Sequence, residues 1–120
     1  MTRSESKRAM LYELGAEPVV ADALDPDQVA EAVGRARPEV IVHQLTALAG
    51  VMSYSERDAA PTNRLWTEGT DYLLSAGQAV GVRRFVAQGV AAYGAYARTG
   101  GPVKDEADPL DPTPVRPYMP

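Results

Sequence analysis

Few side chains in this sequence are of the types that carry chemistry. His43 is the single histidine, Lys7 and Lys104 are the two lysines, and cysteine is absent. Without cysteine there is no thiol nucleophile, no disulfide frame and no thiolate zinc site. One histidine excludes a His-rich metal centre and argues against a Ser-His triad. His43 ends a β-branched run and reads first as a strand-end residue held by a backbone carbonyl. Asp22 and Asp25 lie three apart. Asp25 precedes Pro26 and suits a helix N-cap, which leaves Asp22 either as a turn residue or as an acceptor for an exocyclic amine such as that of adenine. Arg3 and Ser4 stand before a helical stretch, where backbone N–H groups favour a phosphate. Tyr93 and Tyr96 offer phenols, but neither has a lysine four residues on to lower its pKa. Trp66 reads as core, and Arg83-Arg84 as a solvated helix–strand junction.

These residues must be held by a modest body. The chain has 120 residues, is 45% hydrophobic and 23% charged, and has a net charge of −4. That is one domain at most. The apolar fraction is too high for a disordered tail, and the acidic balance argues against a nucleic-acid partner. No apolar run is long enough for a membrane span, and no secretory signal follows Met1. A soluble, cytoplasmic protein is expected.

The spacing predicts a helix over 4–14, stopped by Gly15, and a short strand over 17–21. A second helix is expected from Pro26 to about Arg35, on Val29, Ala32, Val33 and Ala36. Residues 38–43 read as a strand buried on both faces, because Val40-Ile41-Val42 shows no alternation. Residues 46–60 read as loop, 61–80 as one long helix ended by Gly81, and 83–87 as a third strand. The last 20 residues carry six prolines and no periodicity. Three strands alternating with three helices give an α/β fold with a parallel sheet and an irregular C-terminal tail. In such sheets ligands bind beyond the carboxyl ends of the strands. Those ends are Asp22-Ala23-Leu24, Gln44-Leu45-Thr46-Ala47 and Gln88-Gly89-Val90, each small or polar.

Four segments together resemble the NAD(P)-dependent epimerase/dehydratase family, the extended or atypical branch of the short-chain dehydrogenase/reductases. They are Val19-Val20-Ala21-Asp22-Ala23-Leu24-Asp25-Pro26, Pro38-Glu39-Val40-Ile41-Val42-His43-Gln44-Leu45-Thr46-Ala47, Gly69-Thr70-Asp71-Tyr72-Leu73-Leu74-Ser75-Ala76 with Gly81-Val82-Arg83-Arg84-Phe85-Val86, and Ala92-Tyr93-Gly94. The likeness covers about residues 3–95. It implies a partial Rossmann-like, doubly wound parallel sheet over 1–95. Residues 96–120 are then a Pro/Gly-rich loop or the start of a substrate region. It also implies a nicotinamide dinucleotide cofactor. Arg3 and Ser4 would sit just after the second strand, where an Arg favours a 2′-phosphate and so NADP over NAD. Asp22 and Ala23 would meet adenine. Leu45, Thr46 and Ala47 would pass under the pyrophosphate and nicotinamide ribose. Gly89 would lie at the nicotinamide end.

The departures are systematic. There is no G-x-G-x-x-G, Gly89 stands where the family has a catalytic Ser or Thr, and no Tyr-x-x-x-Lys is present. Trp66 stands where the family's helix Asn is usual, with Asn63 one turn upstream. No catalytic residue and no metal site are expected. In the sheet order 3-2-1-4-5 the missing strands leave a hole between 17–21 and 39–43. The expectation is an inactive fragment of a reductase, dehydratase or epimerase acting on a sugar or nucleotide-sugar, binding dinucleotide weakly or not at all. The competing expectation is a non-catalytic dinucleotide-sensing or protein-binding module of the same fold, a monomer or homodimer with cooperative melting. A third is an unrelated three-stranded α/β domain.

Overall fold

In the computed structural model, residues 1–47, 56–89, 103, 105 and 107–109 are described. The order is a 3-10 turn (Glu5–Lys7), α1 (Arg8–Glu13), α2 (Pro26–Ala36), β1 (Val40–His43), α3 (Glu56–Trp66), α4 (Glu68–Val80) and β2 (Arg84–Ala87). The class is α/β and Rossmann-like in part. Tyr93, Tyr96 and Val90 lie outside the described residues.

α1 ends as its glycine requires. The Gly15 N–H donates to the Tyr12 carbonyl and the Ala16 N–H to the Leu11 carbonyl, with Gly15 at φ 81°. This pair of bonds is a Schellman closure, which needs a left-handed residue at Gly15. The apolar stripe of this helix stays in solvent: Met10 is 48% and Leu14 75% exposed.

α2 matches its expected bounds because its signals are local. The Asp25 carboxylate accepts from the Asp27 and Gln28 amides, Pro26 sits at the first helical position, and Val29, Ala32 and Val33 are buried. α2 and α4 pack on one face of β1. The core is Val29 and Val33 from α2, Ile41 from β1, and Leu73 and Ala76 from α4, with Leu45, Tyr72, Val80, Val82 and Phe85 against it. Each such aliphatic side chain stabilises the fold by roughly 1.5–3 kcal/mol when fully buried.

The sheet is parallel as expected and departs from expectation in two respects, the burial of β1 and the strand at 17–21. β1 and β2 pair in parallel, Val40 opposite Arg84 and His43 opposite Ala87. Burial along β1 alternates, with Ile41 and His43 inside and Val40 and Val42 44% and 61% exposed. The β-branched run therefore reflects strand propensity rather than cover on both faces. The expected strand at 17–21 shrinks to one parallel bridge, Thr2 with Val20. Thr2 donates to the Val19 carbonyl and accepts from the Ala21 amide, Pro18 has no N–H to give, and the chain turns at Ser4 into the 3-10 helix. Among the described residues the bridge does not pair with β1. A cleft of about 450 Å³ separates them, walled by Met1 and Val19 on one side and Ile41, Val42 and Leu45 on the other, with Ala32, Val33 and Ala36 of α2 against it.

Residues 56–80, read as the end of a loop and then one long helix, form two helices. α3 already begins at Glu56, with Pro61 inside it, and the helix breaks at Thr67 (φ −97°, ψ −79°). The Thr67 hydroxyl donates to the Asn63 carbonyl and the Thr70 hydroxyl to the Trp66 carbonyl. Hydroxyls that bond back to the fourth preceding carbonyl bend helices. Arg64 reaches across the break to Glu68 with both oxygens engaged, at 2.7 and 2.8 Å.

Candidate functional site

A cleft of about 270 Å³ opens where the Thr2–Val20 bridge, the end of β1 and α3 meet. It is lined by Thr2, Arg3, Ser4, Ala21, Ala23, Leu45, Thr46 and Leu65, together with Met1 and Lys7. Five residues singled out in the sequence thus converge: Arg3, Ser4, Ala23, Leu45 and Thr46. They come from three separate parts of the chain, brought together by the βαβ crossover through α2.

Each element has a reason to deliver its residue here. Arg3 and Ser4 leave the bridge at the start of the 3-10 turn. Ser4 is fixed by its amide bond to the Thr2 hydroxyl at 3.2 Å, and its own hydroxyl contacts that of Ser6 at 2.7 Å. Ala21 and Ala23 are buried, and their small side chains keep that wall low. Gly69 of α4 lies beside the Ala23 carbonyl, where a Cβ would make contact at 3.4 Å.

The cleft is locally cationic on an acidic chain. Arg3 is exposed and makes no ion pair among the described residues, whereas the neighbouring Arg8 is tied to Glu5. Lys7 lines the same cleft and was not singled out in the sequence as a site residue. Arg3 precedes the 3-10 turn and Lys7 ends it, so no helical spacing links the two in the sequence, and only the folded chain brings them to one cleft.

Asp22 lies just outside this lining and is partly committed. Its Oδ1 accepts from the Leu24 amide at 3.0 Å, while its own amide donates to Gln28 Oε1. This is an Asx turn, so the N-cap role of Asp25 does not leave Asp22 wholly free. Ala47 also lies outside the lining, its amide donating to the buried Thr62 hydroxyl at 3.1 Å. Gly89 is exposed beyond β2, and a Cβ there would meet nothing within 4 Å.

The loop after β1 is held from two sides. His43 is buried, accepts from the Leu45 amide at Nδ1 (3.1 Å), and has Nε2 3.2 Å from the Leu65 carbonyl. An amide can only donate and a carbonyl can only accept, so Nε2 carries the proton and the ring is neutral. Phe85 meets this ring edge-on, at 6.2 Å between centroids. Trp66, half-buried, donates its Nε1–H to the Leu45 carbonyl at 3.1 Å.

The donor set suits an anion beside a small, largely uncharged wall. Arg3 and Lys7 are the cleft's cations, Thr2, Ser4 and Thr46 its neutral polar residues, and Met1, Ala21, Ala23, Leu45 and Leu65 its apolar ones. The volume falls just under the roughly 300–1,000 Å³ usual for a whole ligand site, and so suits one part of a larger molecule. Among the described residues no group of His, Asp and Glu is arranged to hold a metal ion.

The model of a family described as NAD dependent epimerase/dehydratase family matches residues 1–119. A curated relative, a 3-diazoavenalumate denitrifying reductase of Streptomyces sp, is 53% identical over 92 residues. That match covers 77% of this chain and 30% of the relative, so the chain spans under a third of that protein's length. No solved structure matches.

Proposed function

The chain belongs to the NAD-dependent epimerase/dehydratase family, whose cofactor is a nicotinamide dinucleotide, and from that premise we propose that it forms the adenosine side of such a site in a reductase. The observation that carries this is the convergence of Arg3, Ser4, Ala23, Leu45 and Thr46 on one cleft. Reductive chemistry is supported by the similarity to a reductase, with the hydride supplied by the bound dinucleotide.

In this reading Arg3, joined by Lys7, meets the phosphate on the adenosine ribose, which makes NADP the preferred cofactor. Ser4 flanks that phosphate. Asp22 receives the adenine amine through the oxygen that Leu24 does not use, and Ala23 leaves room for the base. Leu45, Thr46 and Ala47 form the floor further along, toward Gly89. The substrate is a small molecule, a sugar or nucleotide-sugar by family resemblance. The parent enzyme is cytoplasmic and takes no nucleic-acid partner. The described helices include none long and apolar enough to cross a membrane.

By itself the 120-residue chain is proposed to be inactive and to hold dinucleotide weakly. Gly89 stands where a hydroxyl would be needed, and neither lysine has a tyrosine four residues before it. The exposed Val40, Val42 and Val86 support a chain that works packed against further structure.

Calorimetric titration with NADPH and NADH tests the reading. Saturable binding in the millimolar range is expected, stronger for NADPH, with the preference lost in Arg3→Glu. Micromolar affinity would overturn the weak-binding claim. Equal affinities unchanged in Arg3→Glu would overturn the assignment of Arg3.

A further inference from the structure

We propose that His43 and Trp66 are positioning residues, which together clamp the backbone of Leu45 and so set the shape and the polarity of the cleft floor. The inference rests on the dinucleotide reading for its functional half, and on geometry alone for its structural half.

Leu45 has one backbone donor and one backbone acceptor, and a side chain takes each. The amide N–H goes to His43 Nδ1 and the carbonyl receives the Trp66 indole N–H. His43 is in turn fixed at its far nitrogen by the Leu65 carbonyl, one residue before Trp66. The end of β1 and the last turn of α3 are therefore locked through a closed ring of three hydrogen bonds. A residue just past a strand would otherwise leave both groups to water.

This closure has a chemical consequence. Backbone amides at the carboxyl ends of strands are common donors to phosphate, but the Leu45 amide is already committed. What Leu45 shows the ligand is carbon. A phosphate in the cleft is therefore met by other lining residues, Arg3 and Lys7 being the cations among them, and the face lying on Leu45 is apolar, a base or the carbon face of a sugar.

The 120-residue chain, labelled with 15N, is compared as wild type, Trp66→Phe, His43→Phe and His43→Asn. In His43→Asn the amide oxygen stands near the place of Nδ1 and restores an acceptor for Leu45. Long-range 15N–1H correlation in the wild type is expected to show a protonated Nε2 and an unprotonated Nδ1. A proton on Nδ1 would overturn the clamp without any cofactor present. The Leu45 amide is expected to exchange slowly with solvent, to exchange faster in His43→Phe, and to recover in His43→Asn. Equal exchange in all four proteins would also overturn it.

For the functional half, NADPH is added to millimolar concentration and the amide shifts are followed. Trp66→Phe is expected to melt near the wild type yet to bind about three- to tenfold more weakly, the scale of one neutral hydrogen bond. Binding within twofold of wild type in both Trp66→Phe and His43→Phe would overturn the positioning role. Absence of NADPH-dependent shifts in the wild type would sink the dinucleotide reading, and with it the functional half, while tautomer and exchange still decide the clamp.

Discussion

The Thr62 hydroxyl, fully buried inside α3, accepts a hydrogen bond from the Ala47 amide 15 residues earlier, at 3.1 Å. This bond fastens the loop after β1 to the helix that follows it. Thr62→Val keeps the shape but removes the acceptor, leaving the part-buried Ala47 amide without its partner. A loss of about 1–2 kcal/mol is expected, read by urea denaturation, with Thr62→Ser keeping most of the stability. A valine variant as stable as wild type would show that water takes over the amide.

Gly77 sits where α4 crosses β1. A Cβ there would lie 3.1 Å from Ile41 Cδ1 and 3.4 Å from Val82. Gly77→Val adds branched bulk where α4 meets Ile41 of β1 and is expected to cost about 1–3 kcal/mol. The paired change Gly77→Val with Ile41→Val should recover part of that loss, because it removes the methyl nearest to the new side chain. Thermal melts of the two proteins measure the recovery.

What the sequence made legible follows the range of the physics. α2 was readable because Asp25, Pro26 and the Val29–Val33 stripe all act within a few residues of one another. The strand at 17–21 was not, because a strand exists only through partners, and here Thr2 alone offers one. The start of α3 was hidden because Pro61 suits a first helical turn yet lies in the second, after five residues that gave no apolar stripe. The break at Thr67 depends on hydroxyl rotamers that composition does not fix. At the site, small or polar residues after strands marked Ala23, Leu45 and Thr46. Trp66 was read as core because its partner, the Leu45 carbonyl, is set by how α3 docks on β1.

Asp25 gives a pH dependence of known sign. Its carboxyl is held below the ordinary value, first by the hydrogen bond from the Gln28 amide, then by the Gln28 side chain and the Asp27 amide. A depressed carboxyl stabilises the fold above its unfolded pKa, and the contribution is lost as pH falls through the folded value. Asp25→Ala should therefore melt below wild type at neutral pH, and the gap should close in acid. Asp25→Asn keeps a capping oxygen without a charge, so its melting temperature should fall less steeply with acid than that of wild type. A gap between Asp25→Ala and wild type that is constant from neutral pH into acid would contradict the cap.

Arg37 closes α2 in a conformation that suits glycine better. Its φ is 43° and ψ 54°, the single positive φ outside glycine among the described residues, and its amide still donates to the Val33 carbonyl at 2.8 Å. The left-handed region costs an L-residue roughly 1–2 kcal/mol. Glycine escapes that cost but gives back about 0.5–1 kcal/mol in chain entropy. The side chain is exposed and makes no ion pair among the described residues, so its removal takes little away. Arg37→Gly is expected to stabilise the chain by about 0.5–1 kcal/mol, and Arg37→Val to destabilise it, because β-branching crowds this region further. Guanidinium titrations of the three proteins order them. A glycine variant less stable than wild type would mean that the arginine stem packs on α2 enough to outweigh the backbone strain.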